Sequence, residues 1–130
     1  MGGLDELERM VRVGLLYDHY APLLTPRQRE AVELYFLQNW SLQEIAAAWR
    51  TSRQAVHDLL GRSVHLLEDY ERRLGLLARE EKKRSVLTAC AAKLRVAGEI
   101  LGSDAGRAGE LLAAAVKELE ALLGPEEEGD

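Results

Sequence analysis

The run Arg53-Gln54-Ala55-Val56-His57-Asp58 sets side by side two side chains that read base edges. Arginine pairs bidentately with guanine O6 and N7, and glutamine pairs with adenine N6 and N7. His57 follows one helical turn later, so Arg53, Gln54 and His57 share the leading end of one helix. Arg27, Arg29, Arg50 and Arg62 add guanidinium groups suited to phosphate oxygens. From residue 25 to residue 62 five arginines stand against four acids, a net of +1. Phosphate neutralisation dominates affinity for nucleic acid, so this balance predicts a modest contact that a dimer with two reading helices would strengthen. DNA is the expected ligand, with RNA as the other source of the same chemistry.

Other chemistries find fewer residues. His57 and His65 stand eight apart on one helix with no cysteine or carboxylate arrangement to complete a metal site. There is no glycine-rich phosphate loop and no nucleophile motif, so an enzyme is not expected, and no cofactor is called for. Cys90 is the single cysteine, which rules out an internal disulfide, and its apolar setting reads as a small buried hydrophobe. The chain has 130 residues, 47% hydrophobic and 30% charged, the composition of about one soluble domain. No apolar run is long enough to span a membrane and the first residues lack a signal-peptide pattern, so a cytoplasmic protein without membrane insertion is expected. The formal charge of −5 is unevenly placed: residues 1–24 carry −2, residues 25–84 carry +2 and residues 85–130 carry −5. The acidity therefore lies outside the candidate contact.

The elements that must position these side chains are all helices, since no strict apolar/polar alternation with β-branched enrichment occurs. The expected class is all-α. A first helix runs from about Asp5 to Tyr20 with Leu4, Leu7, Val11 and Leu15 on one face, and Pro22 follows it. Thr25 caps a second helix, with Pro26 at its first position and Gln28 completing a capping box. Ser41 and Glu44 form another box and open a short third helix, whose Leu42, Ile45, Ala46 and Trp49 share a face. Three polar residues, Arg50, Thr51 and Ser52, separate it from a fourth. Ala46 is small where two helices cross, and Val56 and Leu59 return to the same core after the turn. Together these features spell a helix-turn-helix unit over residues 41–62 within a domain covering 1–78. The one departure is Arg50, at a turn position where glycine is frequent because φ is positive.

The fourth helix carries Val56, Leu60, Ser63, Leu67, Tyr70, Leu74 and Leu77 in alternating steps of four and three. That spacing is the 3.5-residue repeat of a coiled-coil seam, which predicts a long helix packed against another helix, either its own core or a second subunit in a homodimer. Gly61 and Gly75 are expected to be tolerated inside it. Residues 79–124 form a helical extension with Leu87, Cys90, Leu94, Ala97 and Leu101 in one helix. Gly102-Ser103-Asp104 is a stop and new cap, and Leu112, Ala115, Val116, Leu119 and Leu123 lie in the last helix. Residues 125–130 read as a disordered acidic tail.

The segments Leu16-Tyr17-Asp18, Leu24-Thr25-Pro26-Arg27-Gln28-Arg29 and Ser52-Arg53-Gln54-Ala55-Val56 resemble the YlxM family of small bacterial proteins, which is itself similar to region 4 of sigma factors. The resemblance runs from about residue 5 to residue 78. It implies an all-helical, non-enzymatic, cytoplasmic helix-turn-helix protein that continues into a long helix and C-terminal helices. It also implies a regulatory link to the signal recognition particle pathway, with DNA as ligand or, alternatively, the particle's GTPase or its RNA as partner.

Overall fold

A computed structural model describes residues 3–124. The expected tail, residues 125–130, lies outside the described residues. Six α-helices follow in order: α1 (Gly3–Tyr20), α2 (Pro26–Val32), α3 (Leu42–Trp49), α4 (Arg53–Leu74), α5 (Leu76–Ile100) and α6 (Ala105–Leu123). The described chain divides into two compact units after Leu77.

Local chemistry starts these helices where the sequence places the caps. Thr25 Oγ1 accepts from the Gln28 amide while the Gln28 side chain accepts from the Thr25 amide, at 3.2 and 2.9 Å. Ser41 and Glu44 repeat the arrangement on α3, and Ser52 Oγ accepts the Ala55 amide at the start of α4. Such caps satisfy amides that the first helical turn leaves unpaired.

The first unit wraps α1, α2 and α3 around α4. Its core holds Val13, Leu16, Tyr20, Val32, Phe36, Ile45, Val56, Leu60 and Leu67. Three features depart from what regular helical periodicity would give. α1 does not bury the stripe Leu4, Leu7, Val11 and Leu15, which is exposed; it buries Val13, Leu16 and Tyr20 instead. The helix has two apolar stripes, and the inward one ends in a tyrosine whose hydroxyl finds part-buried partners. After α2 the backbone widens into a π-helical turn over Glu33–Leu37, with the Gln38 amide donating to the Glu33 carbonyl at 2.9 Å. The extra residue in that turn sends Phe36 into the core and leaves Leu37 exposed.

The third change concerns the seam on α4. Val56, Leu60, Ser63 and Leu67 are buried within their own unit and Tyr70 is packed against that core, so the 3.5-residue repeat is filled inside the chain rather than offered to a partner. Leu74 is exposed, and α4 ends there. Gly75 takes φ 64° and ψ 26°, the left-handed conformation that closes a helix. Leu77, also buried, belongs to the next helix. The break is held by side chains distant in sequence. Tyr20 Oη donates to Glu71 Oε1 at 2.6 Å and accepts the Leu76 amide at 3.0 Å, and Glu71 Oε1 accepts the Leu77 amide at 2.9 Å. Two of the first amides of α5 are thus capped from α1 and α4. Burial, and then the Glu71 hydrogen bond, raise the Tyr20 pKa.

The second unit is a helical hairpin. α5 and α6 bury small residues: Cys90 and Ala97 from one, Ala108 and Ala115 from the other. Cys90 Sγ lies 3.6 Å from the Ala115 carbonyl oxygen and 3.3 Å from Glu118 Oε2, and Lys93 pairs with Glu118. The charged run Glu80 to Arg84 sits inside α5. Asp104 caps α6 by accepting the Arg107 amide at 3.0 Å.

Candidate nucleic-acid interface

Two helices and a tight turn build the interface. α3 ends in a Schellman motif: the Arg50 amide reaches the Ala47 carbonyl at 3.3 Å and the Thr51 amide reaches the Ala46 carbonyl at 3.0 Å. Arg50 supplies the left-handed residue that this motif needs, at φ 53° and ψ 47°. An arginine in that conformation carries strain that glycine would not, of order 1 kcal/mol. Ser52 returns the chain to extended geometry and caps α4, so α4 leaves the turn with Arg53 and Gln54 in its first helical positions. Ala46 and Val56, both buried, hold α3 and α4 close.

Arg53, Gln54 and His57 come together on the surface of the first turns of α4, where they line, with Leu42 of α3, a depression of about 380 Å³. Gln54 Nε2 donates to Asp58 Oδ1 at 2.8 Å, and His57 Nδ1 lies 3.4 Å from the same oxygen. Asp58 therefore holds the reading amide in one rotamer before any ligand arrives. The i,i+4 spacing of Gln54 and Asp58 was a readable signal for that contact.

The remaining arginines separate into three environments. Arg50 is exposed at the turn itself. Arg27 lies with its guanidinium 3.7 Å from the centre of the Trp49 ring, a cation–π contact, and Trp49 Nε1 donates to Glu30 Oε1 at 3.1 Å. That stack fixes an exposed positive charge beside the end of α3. Sequence reasoning placed Trp49 on the apolar face of α3 and did not foresee its second role as a platform. Arg62 lines a different depression, with Gln28 and His65, and helical periodicity puts it on the opposite side of α4 from Arg53. Arg29 is half-buried, with its Nε withdrawn from solvent and unpaired, and its charge acts on Tyr17. Arg29 is thus less open than Arg50 and Arg27. Tyr17 itself, hydrogen-bonded to Glu33, has its pKa pushed up to about 12, first by burial and then by that bond.

Among the described residues no group of three or more histidine, cysteine or acidic side chains is placed to hold a metal, and no helix is long and apolar enough to cross a membrane.

A capped short helix, a left-handed turn and a second helix that opens with polar, exposed side chains define a helix-turn-helix protein. Residues 7–100 match the family UPF0122, described as "Putative helix-turn-helix protein, YlxM / p13 like", and the chain belongs to that family. It is 47% identical over 81 residues to the UPF0122 protein GK1195 of Geobacillus kaustophilus, covering 62% of this chain and 74% of the relative. It is 49% identical over 76 residues to the UPF0122 protein STH1464 of Symbiobacterium thermophilum, covering 58% and 71%. The UPF0122 protein SERP0802 of Staphylococcus epidermidis is 44% identical over 84 residues, covering 65% and 76%. The family match stops at the end of α5, so α6 lies beyond it.

Proposed function

We propose that the chain is a DNA-binding regulator, a binding module rather than an enzyme, that reads duplex DNA with the first turns of α4. The observation that carries this reading is the grouping of Arg53, Gln54 and His57 on one exposed surface directly after the α3–α4 turn. Set into the major groove, Arg53 reaches guanine O6 and N7, and Gln54 exchanges its bond to Asp58 for adenine. Arg50 and the Trp49-stacked Arg27 meet phosphates on the flank, which position the helix without reading sequence. The carboxylate of Asp58 repels phosphate and makes non-specific binding weak. Residues 25–62 carry a net of only +1, so affinity rests on few ion contacts and the salt slope is shallow.

The test is fluorescence anisotropy with a randomised duplex pool at ~50 mM salt, where DNA binders of this kind still hold. Retention is expected, and Arg53→Ala and Gln54→Ala should each weaken binding of a selected sequence by roughly tenfold or more. Retention of structured RNA but no duplex DNA would move the reading to RNA. Retention of neither, or unchanged affinity in the double variant, would overturn it.

A second reading is a partner or modulator of the signal recognition particle, binding its GTPase or its RNA. The exposed row Leu4, Leu7, Val11 and Leu15 on α1 favours it, since such a stripe suits a helix laid into a groove. Recovery of that GTPase from lysate by the wild type but not by Leu7→Glu would support it, and equal recovery by both would remove it. Either reading has the protein acting in the cytoplasm.

A further inference from the structure

The first unit has a second depression, of about 250 Å³, lined from the first half of α1, the π-helical turn and the start of α3. It shares no lining residue with the one beside Arg53, Gln54 and His57. Its lining includes three aromatic residues, Tyr35, Phe36 and Trp40, two carboxylates, Glu6 and Glu44, and one guanidinium, Arg9. The backbone explains why the rings gather there. The π-helical turn over Glu33–Leu37 sets Tyr35 edge to face against Phe36, with centroids 4.9 Å apart. Asn39 then takes φ 60°, and the Trp40 amide donates to the Leu34 carbonyl at 2.8 Å, which returns Trp40 to the same turn. Wide turns of this kind are frequent at functional sites.

The charges in this depression are not paired within the described residues. Arg9 lies over the Phe36 ring with its guanidinium carbon 6.0 Å from the centroid, the outer limit of a cation–π contact, and forms no ion pair there. Glu6 forms none either. Glu44 spends one carboxylate oxygen on the Ser41 amide, at 3.2 Å, and keeps acceptor sites on the other. The second tryptophan shows what a filled arrangement looks like. Trp49 carries the Arg27 guanidinium at 3.7 Å and bonds its indole N–H to Glu30. At Trp40 the ring and the glutamates share one depression, while the nearby arginine stands off on Phe36.

We propose that this depression receives an arginine side chain presented by a basic segment of a partner protein. The incoming guanidinium stacks on the aromatic lining, Glu6 and Glu44 balance its charge, and Arg9 moves off Phe36 to admit it. Two carboxylates against one guanidinium leave the lining negative, which turns phosphate away and sets this surface apart from the one that meets nucleic acid. Arginine suits it better than lysine, because a guanidinium is planar, stacks on rings and is more weakly hydrated. The volume falls below the ~300 Å³ at which sites for drug-sized ligands begin, and so fits one side chain. One stacked charge at an open site binds weakly, so the affinity comes from the segment that carries it.

Proton–nitrogen correlation spectra of the full chain test this, because its two tryptophans give two indole N–H signals. N-acetyl-arginine methylamide, titrated to ~50 mM, populates a site of millimolar affinity. A saturable shift of the Trp40 signal is expected, with the Trp49 signal nearly still; Trp40→Phe assigns the pair by removing one. Glu6→Gln should weaken binding about threefold, the weight of one exposed charge pair. Arg9→Ala should tighten it by about the same factor, since the internal competitor is gone. Both side chains are exposed, so neither change threatens the fold. Arg53→Ala should leave the titration unchanged, and its loss in that variant would overturn the proposal. So would the absence of a saturable shift, weaker binding in Arg9→Ala, or an equal response to N-acetyl-lysine methylamide. Binding of free arginine but not of the capped amide would make this an amino-acid site and overturn the partner assignment. A response to N-acetyl-glutamate methylamide in place of the arginine compound would overturn it in favour of an anion held by Arg9.

Discussion

The two units of this chain solve the same packing problem with different means. The first buries Leu16, Tyr20, Ile45, Phe36 and Leu67, side chains large enough to give a complete core. The second buries Cys90, Ala97, Ala108 and Ala115, while Leu87, Leu94, Leu112 and Leu123 are exposed. Both are helical and both have regular apolar periodicity, so amphipathicity alone does not decide what a helix packs against. What separates them is side-chain size on the inward row. Large inward residues fill a space, whereas small ones let two backbones approach and push the remaining apolar surface to the outside. The family match runs from residue 7 to residue 100, so α6 lies outside it.

The contrast can be broken most forcefully at Leu67, which is fully buried. Leu67→Ala should destabilise the first unit by about 3 kcal/mol. Urea unfolding followed by tryptophan fluorescence measures it, because both tryptophans, Trp40 and Trp49, lie in that unit. Leu94→Ala, with Leu94 on the open face of the hairpin, should move the same curve by under ~0.5 kcal/mol. Equal shifts from both would mean that the units do not unfold independently.

Alkaline pH sharpens the difference next. The Tyr17 pKa of about 12 in the folded chain lies above the ordinary value near 10 in the unfolded chain. The folded state therefore holds its proton more tightly, and the stabilisation is complete below pH 10 and disappears as pH rises towards 12. Urea midpoints of the wild type should fall more steeply between pH 9 and pH 11.5 than those of Tyr17→Phe, by on the order of 1–2 kcal/mol after screening of the half-buried hydroxyl. Parallel curves would show that Tyr17 titrates normally.

Tyr20→Phe removes a hydroxyl that donates to Glu71 and accepts from the Leu76 amide, and leaves that part-buried amide unpaired. A loss of about 1–2 kcal/mol is expected, concentrated at the start of α5 and visible as faster amide exchange at Leu76 and Leu77. Unchanged exchange there would remove Tyr20 as a cap. The smallest effect is a gain. Arg50→Gly relieves a left-handed arginine and should raise stability by roughly 0.5 kcal/mol, while weakening any phosphate contact made by Arg50. A loss of stability on that change would mean the arginine side chain contributes more than its backbone costs.

These contrasts also mark what the sequence could convey. The caps at Thr25, Ser41, Ser52 and Asp104 were readable because each depends on residues within three positions. The helix-turn-helix unit was readable for the same reason, down to the positive φ at Arg50. The inward face of α1 was not, because two apolar stripes compete on that helix and only its partners, α4 and the π-helical turn after α2, choose between them. The end of α4 at Gly75 escaped too, since it is fixed by Tyr20 and Glu71, whose meeting needs the folded chain. At the site, Arg53, Gln54 and His57 were legible from spacing. The half-buried state of Arg29 was not, because it depends on the folded chain.

The chain has a single sulfur nucleophile, and it sits at the seam between α5 and α6, 2% exposed. A thiol reagent reaches Cys90 only when the hairpin parts. Its rate of modification is therefore a clock for hairpin opening, without any added label. Read at increasing protein concentration, that clock should slow wherever association holds the two helices together, and keep constant time where they open and close alone.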